Sequence, residues 1–144
     1  MRRAPAALLR LLLGALFVWA AAAKLPDMAG FAESVANYRV LPPGWVPLLA
    51  AALVGVELVA GAALVAGWWP RAAAAVLALL LLVFAAALSQ ALLRGIDLSC
   101  GCFGGKETAS WGAVGRDLAL FALTIASLAL GPGRLTAPGA GAAP

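Results

Sequence analysis

The chain has 144 residues, of which 65% are hydrophobic and 11% charged. An average soluble domain is roughly 45–50% apolar and about 25% charged, so this composition excludes a disordered chain, a collagen and an ordinary soluble domain, and leaves an integral membrane protein. There is no histidine and there are two cysteines, so the commonest general base and metal ligand is missing and no four-cysteine zinc site forms within one chain. The formal net charge of +4 matters less than its distribution around the apolar runs.

The first apolar run is Leu11 to Ala23, extended backwards by Ala4 to Leu9 across Arg10. The second runs from Val46 to Ala66 and is interrupted only by Glu57. The third runs from Ala72 to Leu93, with Ser89 and Gln90 near its end. The fourth, Leu118 to Leu130, extends to Trp111 across Arg116 and Asp117. A spanning helix needs about 20 residues, because the hydrocarbon is ~30 Å thick and each residue rises 1.5 Å. The second and third runs meet that length directly. The first and fourth meet it with a charged residue at headgroup depth, where Arg10 or Arg116 can snorkel. Four spans are expected, at about 6–23, 46–66, 72–93 and 112–130. The backbone must satisfy itself in lipid and nothing alternates like a barrel strand, so the fold class is an all-α membrane bundle of four helices. Residues 1–130 form a single membrane domain in this reading.

Between the first two runs, Asp27 can cap a helix on which Phe31, Val35 and Tyr38 recur at helical spacing. A short amphipathic helix lying on the bilayer surface is expected there, ended by Leu41-Pro42-Pro43-Gly44. The tail from Gly131 to Pro144 is Gly, Pro and Ala with one Arg, a disordered composition. Trp19, Trp45 and Trp111 fall near one predicted face of the membrane, Trp68 and Trp69 near the other, as in an aromatic belt. An alternative for the first run is a secretory signal peptide, with Arg2 and Arg3 ahead of it and Ala21-Ala22-Ala23 as the cleavage site.

With the N-terminus inside, the inner segments carry Arg2, Arg3, Arg10, Arg71 and Arg134 and no acid. The outer segments carry as many bases, so counting alone does not decide. The cluster of three arginines before the first span breaks the tie, since the first helix usually dominates. Both termini are then cytoplasmic and the two long loops face outward.

The sharpest chemical feature is Ser99-Cys100-Gly101-Cys102-Phe103-Gly104-Gly105. Across one residue the Cα atoms can lie about 5.5–7 Å apart, in or near the disulfide range, and Gly101 permits the bend. Closing so small a ring contributes only about 1.6 kcal/mol of loop entropy, against about 3 for a fifteen-residue loop. A poor staple that is easily reduced suits a redox-active pair. Two alternatives stand beside it: unpaired thiols acting as small fillers, and a metal site shared between two chains.

Glu57 sits near mid-depth, where a carboxylate is expensive, and it shares a face with Ala50, Val54, Gly61 and Leu64. Those small residues mark a packing face, so Glu57 points into the bundle. It is either a proton relay or quinone head-group ligand, or a buried carboxyl that is protonated or paired with Arg116 or Lys24. Arg116 and Asp117 open the fourth run, and Asp117 shares a face with Thr124; helix capping and headgroup contact are the simpler account. Lys24 closes the first run, where an interface anchor is expected rather than a catalytic amine. Tyr38 and Arg39 can lie over the cysteine loop.

These motifs resemble the methylamine-utilisation MauE family, within the DoxX-like group of four-helix bacterial membrane proteins. The resemblance covers about residues 10–130. It rests on Ala23-Lys24-Leu25, Phe31 to Tyr38 followed by Leu41-Pro42, and Val56-Glu57-Leu58 with Gly61. The most specific part is Cys100-Gly101-Cys102-Phe103-Gly104 followed by Arg116-Asp117. It implies a redox-associated protein of the bacterial inner membrane, linked to maturation of exported disulfide-containing proteins such as the small subunit of methylamine dehydrogenase. It implies a thioredoxin-like partner, expected here as a separate chain. It carries over Cys100, Cys102, Glu57, Lys24 and Arg116 as functional positions.

The expected function is a membrane thiol–disulfide component in which Cys100 and Cys102 exchange with an exported thioredoxin-like protein or its client. The rivals are a scaffold subunit with no chemistry, and a quinone-linked oxidoreductase subunit of the DoxX type. The lipid bilayer is a partner in every case. A membrane quinone is the one cofactor in view, and neither a metal nor a nucleic acid is expected.

Overall fold

The computed structural model describes residues 3–95 and 110–130. The expected tail from Gly131 and the cysteine loop lie outside the described residues. The described residues are helical, and four segments are long and apolar enough to cross a membrane. The long helices are α1 (Arg3–Lys24), α3 (Val46–Ala66), α4 (Pro70–Leu93) and α5 (Trp111–Leu130), with the short α2 (Met28–Asn37) after α1. Successive long helices run antiparallel. The end of α1, all of α2, the start of α3, the end of α4 and the start of α5 therefore gather at one end of the bundle, called here the α2 end.

The helix ends follow local chemistry. Asp27 caps α2 by accepting from the Gly30 amide at 2.9 Å, as its position predicts. Gly67 ends α3 in the left-handed region (φ 73°), where its missing Cβ removes the steric cost. The Trp68 amide then reaches back to the Ala63 carbonyl at 2.9 Å, closing the turn. Pro70 opens α4 at a position where its absent N–H is no loss. Ser110, not Asp117, caps α5: its Oγ accepts from the Ala113 amide at 3.2 Å. Asp117 sits a further turn and more into α5, so the capping account of that residue is corrected.

α1 packs closely along α3, and α4 along α5; α3 meets α4 and α1 meets α5, closing the bundle. The α1–α3 crossing is at Gly14 and Gly61. A Cβ on Gly14 would sit 2.9 Å from the Gly61 carbonyl oxygen, and one on Gly61 would sit 3.1 Å from the Gly14 carbonyl oxygen. The backbones touch because neither residue has a side chain, the usual device for close packing in a bilayer. Leu13 and Phe17 of α1 lock against Leu64 of α3 and Leu77 and Leu81 of α4 to form the main core. Cleavage after Ala23 would strip Leu13 and Phe17 from this core.

Two expectations change. Arg10 is expected to snorkel outward from the edge of the first run, but it is buried within the bundle, 3% exposed. It shares the inward stripe of α1 with Ala6, Leu13, Phe17, Ala20 and Lys24, and helical period rather than hydropathy decides its direction. α2 is amphipathic as expected, yet its apolar stripe turns into protein rather than outward. Phe31 packs with Ala21 of α1 and with Ala50 and Val54 of α3. The five tryptophans are all exposed, as an aromatic belt requires.

Candidate functional site

The buried faces of α3 and α4 differ in kind. α4 buries only Ala and Leu, whereas α1, α3 and α5 bury Arg10, Lys24, Glu57, Asp117, Thr124 and Ser127. The charges concentrate toward the α2 end. Lys24 Nζ donates to Glu57 Oε2 at 2.6 Å, with side chains 0% and 4% exposed. Helix geometry explains how residues at different depths meet. From the Gly14–Gly61 crossing, Lys24 lies roughly 15 Å up α1 and Glu57 roughly 6 Å up α3 at 1.5 Å per residue. Side chains lean toward the N-terminus of their own helix. In an antiparallel pair, Lys24 leans down α1 while Glu57 leans up α3, and the two close the gap. The Nζ also lies 5.3 Å from the Phe31 ring centroid, so α2 covers the ammonium with an aromatic face.

Lys24 is therefore not an interface anchor. Its hydrocarbon stem has no water to reach toward, because α2 and α3 enclose it. Of the alternatives for Glu57, the ion pair with Lys24 is the arrangement present. Among the described residues the cluster continues through Asp117, buried on α5 and within electrostatic range of both Lys24 and Tyr38. The Arg116 guanidinium lies 3.3 Å from Asp117 Oδ1 and is partly exposed. Two cations thus face two carboxylates, and the cluster is neutral in sum, which is what a low-dielectric interior demands. Thr124 and Ser127 extend a polar stripe down the inward side of α5, and the Thr124 hydroxyl donates to the Leu120 carbonyl at 2.8 Å.

Tyr38 joins this cluster from the end of α2. Its ring is buried against Leu88 and Ala91 of α4 and Ala113 and Val114 of α5. Burial pushes its phenol up to about 12, the Asp117 charge adding to the rise and Arg116 opposing it. A raised acid favours the neutral form in the folded state. The stability this contributes is complete below the ordinary phenol value near 10 and fades as pH rises toward 12. The Tyr38→Phe variant is expected to show a shallower loss of stability over that interval in alkaline unfolding.

Of the residues read as functional from the sequence, the structure brings together Lys24, Glu57, Asp117 and Arg116 at the α2 end. Cys100 and Cys102 lie outside the described residues. The chain bearing them leaves α4 after Gly95 and rejoins at Ser110, so both its attachments are at this same end. Phe31 and Gln90 were not singled out for contact with the site. Gln90 Nε2 donates to the Tyr38 carbonyl at 3.2 Å, and its presence one turn before the end of an apolar run was the available signal. Among the described residues no group of three or more His, Cys, Asp or Glu could hold a metal ion.

A four-helix membrane bundle with a neutral buried charge cluster beneath one end is the class of protein that this geometry defines. The family model for Methylamine utilisation protein MauE matches residues 2–130, and the chain belongs to that family. It is 42% identical over 121 residues to the methylamine utilization protein MauE of Paracoccus denitrificans, a match covering 82% of this chain and 65% of that protein. It is 44% identical over 127 residues to the protein of the same name from Paracoccus versutus, covering 86% of this chain and 68% of that one. The chain thus spans about two thirds of the length of these relatives. No solved structure gives a significant match.

Proposed function

We propose that this chain is a thiol–disulfide component of the bacterial cytoplasmic membrane that helps mature exported proteins in methylamine utilisation. Cys100 and Cys102 exchange with a thioredoxin-like protein or its client. In the oxidising direction, two thiols of the pair become a disulfide while the disulfide of the partner is reduced to two thiols, so electrons and protons balance between the two proteins. What supports the reading is that the two attachments of the segment bearing both cysteines, Gly95 and Ser110, lie at the same end of the bundle as Lys24, Glu57, Asp117 and Arg116. Membership of the MauE family supports the same process. In this reading both termini face the cytoplasm and the cysteine segment faces outward, where the compartment is oxidising.

The rival reading is a scaffold that performs no chemistry, and the Lys24–Glu57 pair favours it, because a buried ion pair holds α1 on α3 without any reaction. A quinone-linked role would instead make Glu57 the reacting group. The cysteines separate these readings. With both Cys100 and Cys102 changed to Ser, client maturation in cells is expected to fall at least about tenfold while the protein still accumulates in the membrane. Unchanged maturation in that variant rejects the thiol chemistry and leaves the scaffold. An impermeant maleimide applied to intact cells is expected to label the pair only after mild reduction. Labelling that requires permeabilised cells reverses the orientation.

A further inference from the structure

Two exposed arginines, Arg39 after α2 and Arg94 after α4, are brought to one patch at the α2 end by a single side chain. Gln90, in the last turn of α4, donates from Nε2 to the Tyr38 carbonyl at 3.2 Å, and its Oε1 accepts from Arg94 Nη1 at 3.2 Å. One amide group thus joins the Arg94 guanidinium to the peptide that links Tyr38 to Arg39. Among the described residues neither arginine has a carboxylate partner, since Glu57 pairs with Lys24 and Asp117 with Arg116. Arg39 sits in the left-handed region at φ 53°, an unfavourable conformation for a residue with a side chain. Glycine takes that conformation without the steric cost, so the turn alone does not call for arginine. Arg94 follows the last residue of α4, where a cation suits the helix dipole, but the dipole accounts for one charge and not for a second beside it. Two neighbouring cations repel, and an anion held by both turns that repulsion into attraction.

Depth and surroundings say which anion fits. The 24 residues of α4 make it about 36 Å long, which exceeds the ~30 Å of hydrocarbon and puts Arg94 at headgroup depth. The chain neighbours of the two arginines are exposed and aliphatic: Leu93 is 78% exposed, Val40 63% and Leu41 40%. Guanidinium forks match the oxygens of a phosphate, and the aliphatic rim matches the upper part of an acyl chain. We propose that Arg39 and Arg94 clamp the phosphate of an anionic phospholipid in the leaflet at the α2 end, with Gln90 setting the spacing of the two guanidiniums. A headgroup of net negative charge, as in phosphatidylglycerol, is preferred to phosphatidylcholine, whose quaternary ammonium brings a third cation to the patch.

The test is native mass spectrometry of the full chain released from detergent micelles, titrated with phosphatidylglycerol or with phosphatidylcholine. The wild type is expected to retain one phosphatidylglycerol in preference to phosphatidylcholine. Arg39→Gln with Arg94→Gln is expected to weaken retention of phosphatidylglycerol at least about fivefold, as the loss of two exposed charge contacts implies. Both side chains are exposed, so this variant is expected to fold, and Arg39→Lys with Arg94→Lys, which keeps the charge, is expected to retain most of the affinity. Arg71→Gln removes an exposed arginine at the opposite end and is expected to leave retention unchanged. Gln90→Leu keeps both cations but frees their spacing, and is expected to fall between the wild type and the double Gln variant. Equal retention by the wild type and the double Gln variant overturns the site, and so does an equal loss in Arg71→Gln. Phosphatidylcholine held as tightly as phosphatidylglycerol reduces the contact to apolar solvation and overturns the clamp. Displacement of the lipid by millimolar inorganic phosphate overturns the lipid as the occupant and leaves a site for free phosphate.

Discussion

Replacing Lys24 with Met is expected to destabilise the bundle by about 3–5 kcal/mol, because it leaves the Glu57 carboxylate buried without its partner. Replacing both residues, as Lys24→Met with Glu57→Leu, is expected to restore most of that loss. The reason is the balance between desolvation and attraction. Each charge loses its hydration in the bundle, and the 2.6 Å contact compensates. Removing one partner keeps the desolvation of the other and discards the compensation. Removing both discards the desolvation as well, and leaves Arg116 and Asp117 as a balanced pair. Thermal unfolding in detergent, followed by helical circular dichroism for the wild type, both single variants and the double, measures this directly. A double variant that loses the sum of the two single losses shows that the two side chains are not coupled. A double variant that regains stability but not client maturation shows that the pair does more than hold α1 to α3.

The second large effect concerns glycines that look alike in sequence. Gly14→Ala is expected to lower stability by about 1–3 kcal/mol, as overpacking a close contact does. Its new methyl would lie 2.7 Å from Val65 Cγ2 and 2.9 Å from the Gly61 carbonyl oxygen, and the backbone cannot retreat without moving the helix. Gly55→Ala is expected to be neutral or to stabilise by up to about 1 kcal/mol, because alanine is the better helix former. Beyond the neighbouring turns of its own helix, no atom lies within 4 Å of a Cβ at Gly55. The same measurement compares the two variants. Equal effects at both positions would mean that α1 and α3 do not cross at Gly14. Separating α1 from α3 also draws Lys24 away from Glu57, so Gly14→Ala is expected to lose part of the coupling seen in the double variant.

The sequence alone determined the class of the protein. Apolar runs of spanning length can satisfy their backbones in lipid only as helices, and their four-fold recurrence set the bundle. Local chemistry was equally legible: Asp27 as a helix cap, the Pro-Gly turn before α3 and the small-residue face around Glu57 follow from interactions within a few residues. The inward direction of Arg10 and Lys24 was also written in the helical period of α1, but hydropathy treats a charge at the edge of an apolar run as an end marker and so hides it. What only the tertiary structure decided was partnership. Whether Glu57 meets Lys24 or Arg116 depends on the depth at which α1 crosses α3, and that depth is set by two glycines whose backbones touch. Whether the apolar stripe of α2 faces lipid or protein depends on the room that Ala21 and Ala50 leave for Phe31. Side-chain pairing across helices is fixed by register, a property of two segments together, and no single run of residues contains it.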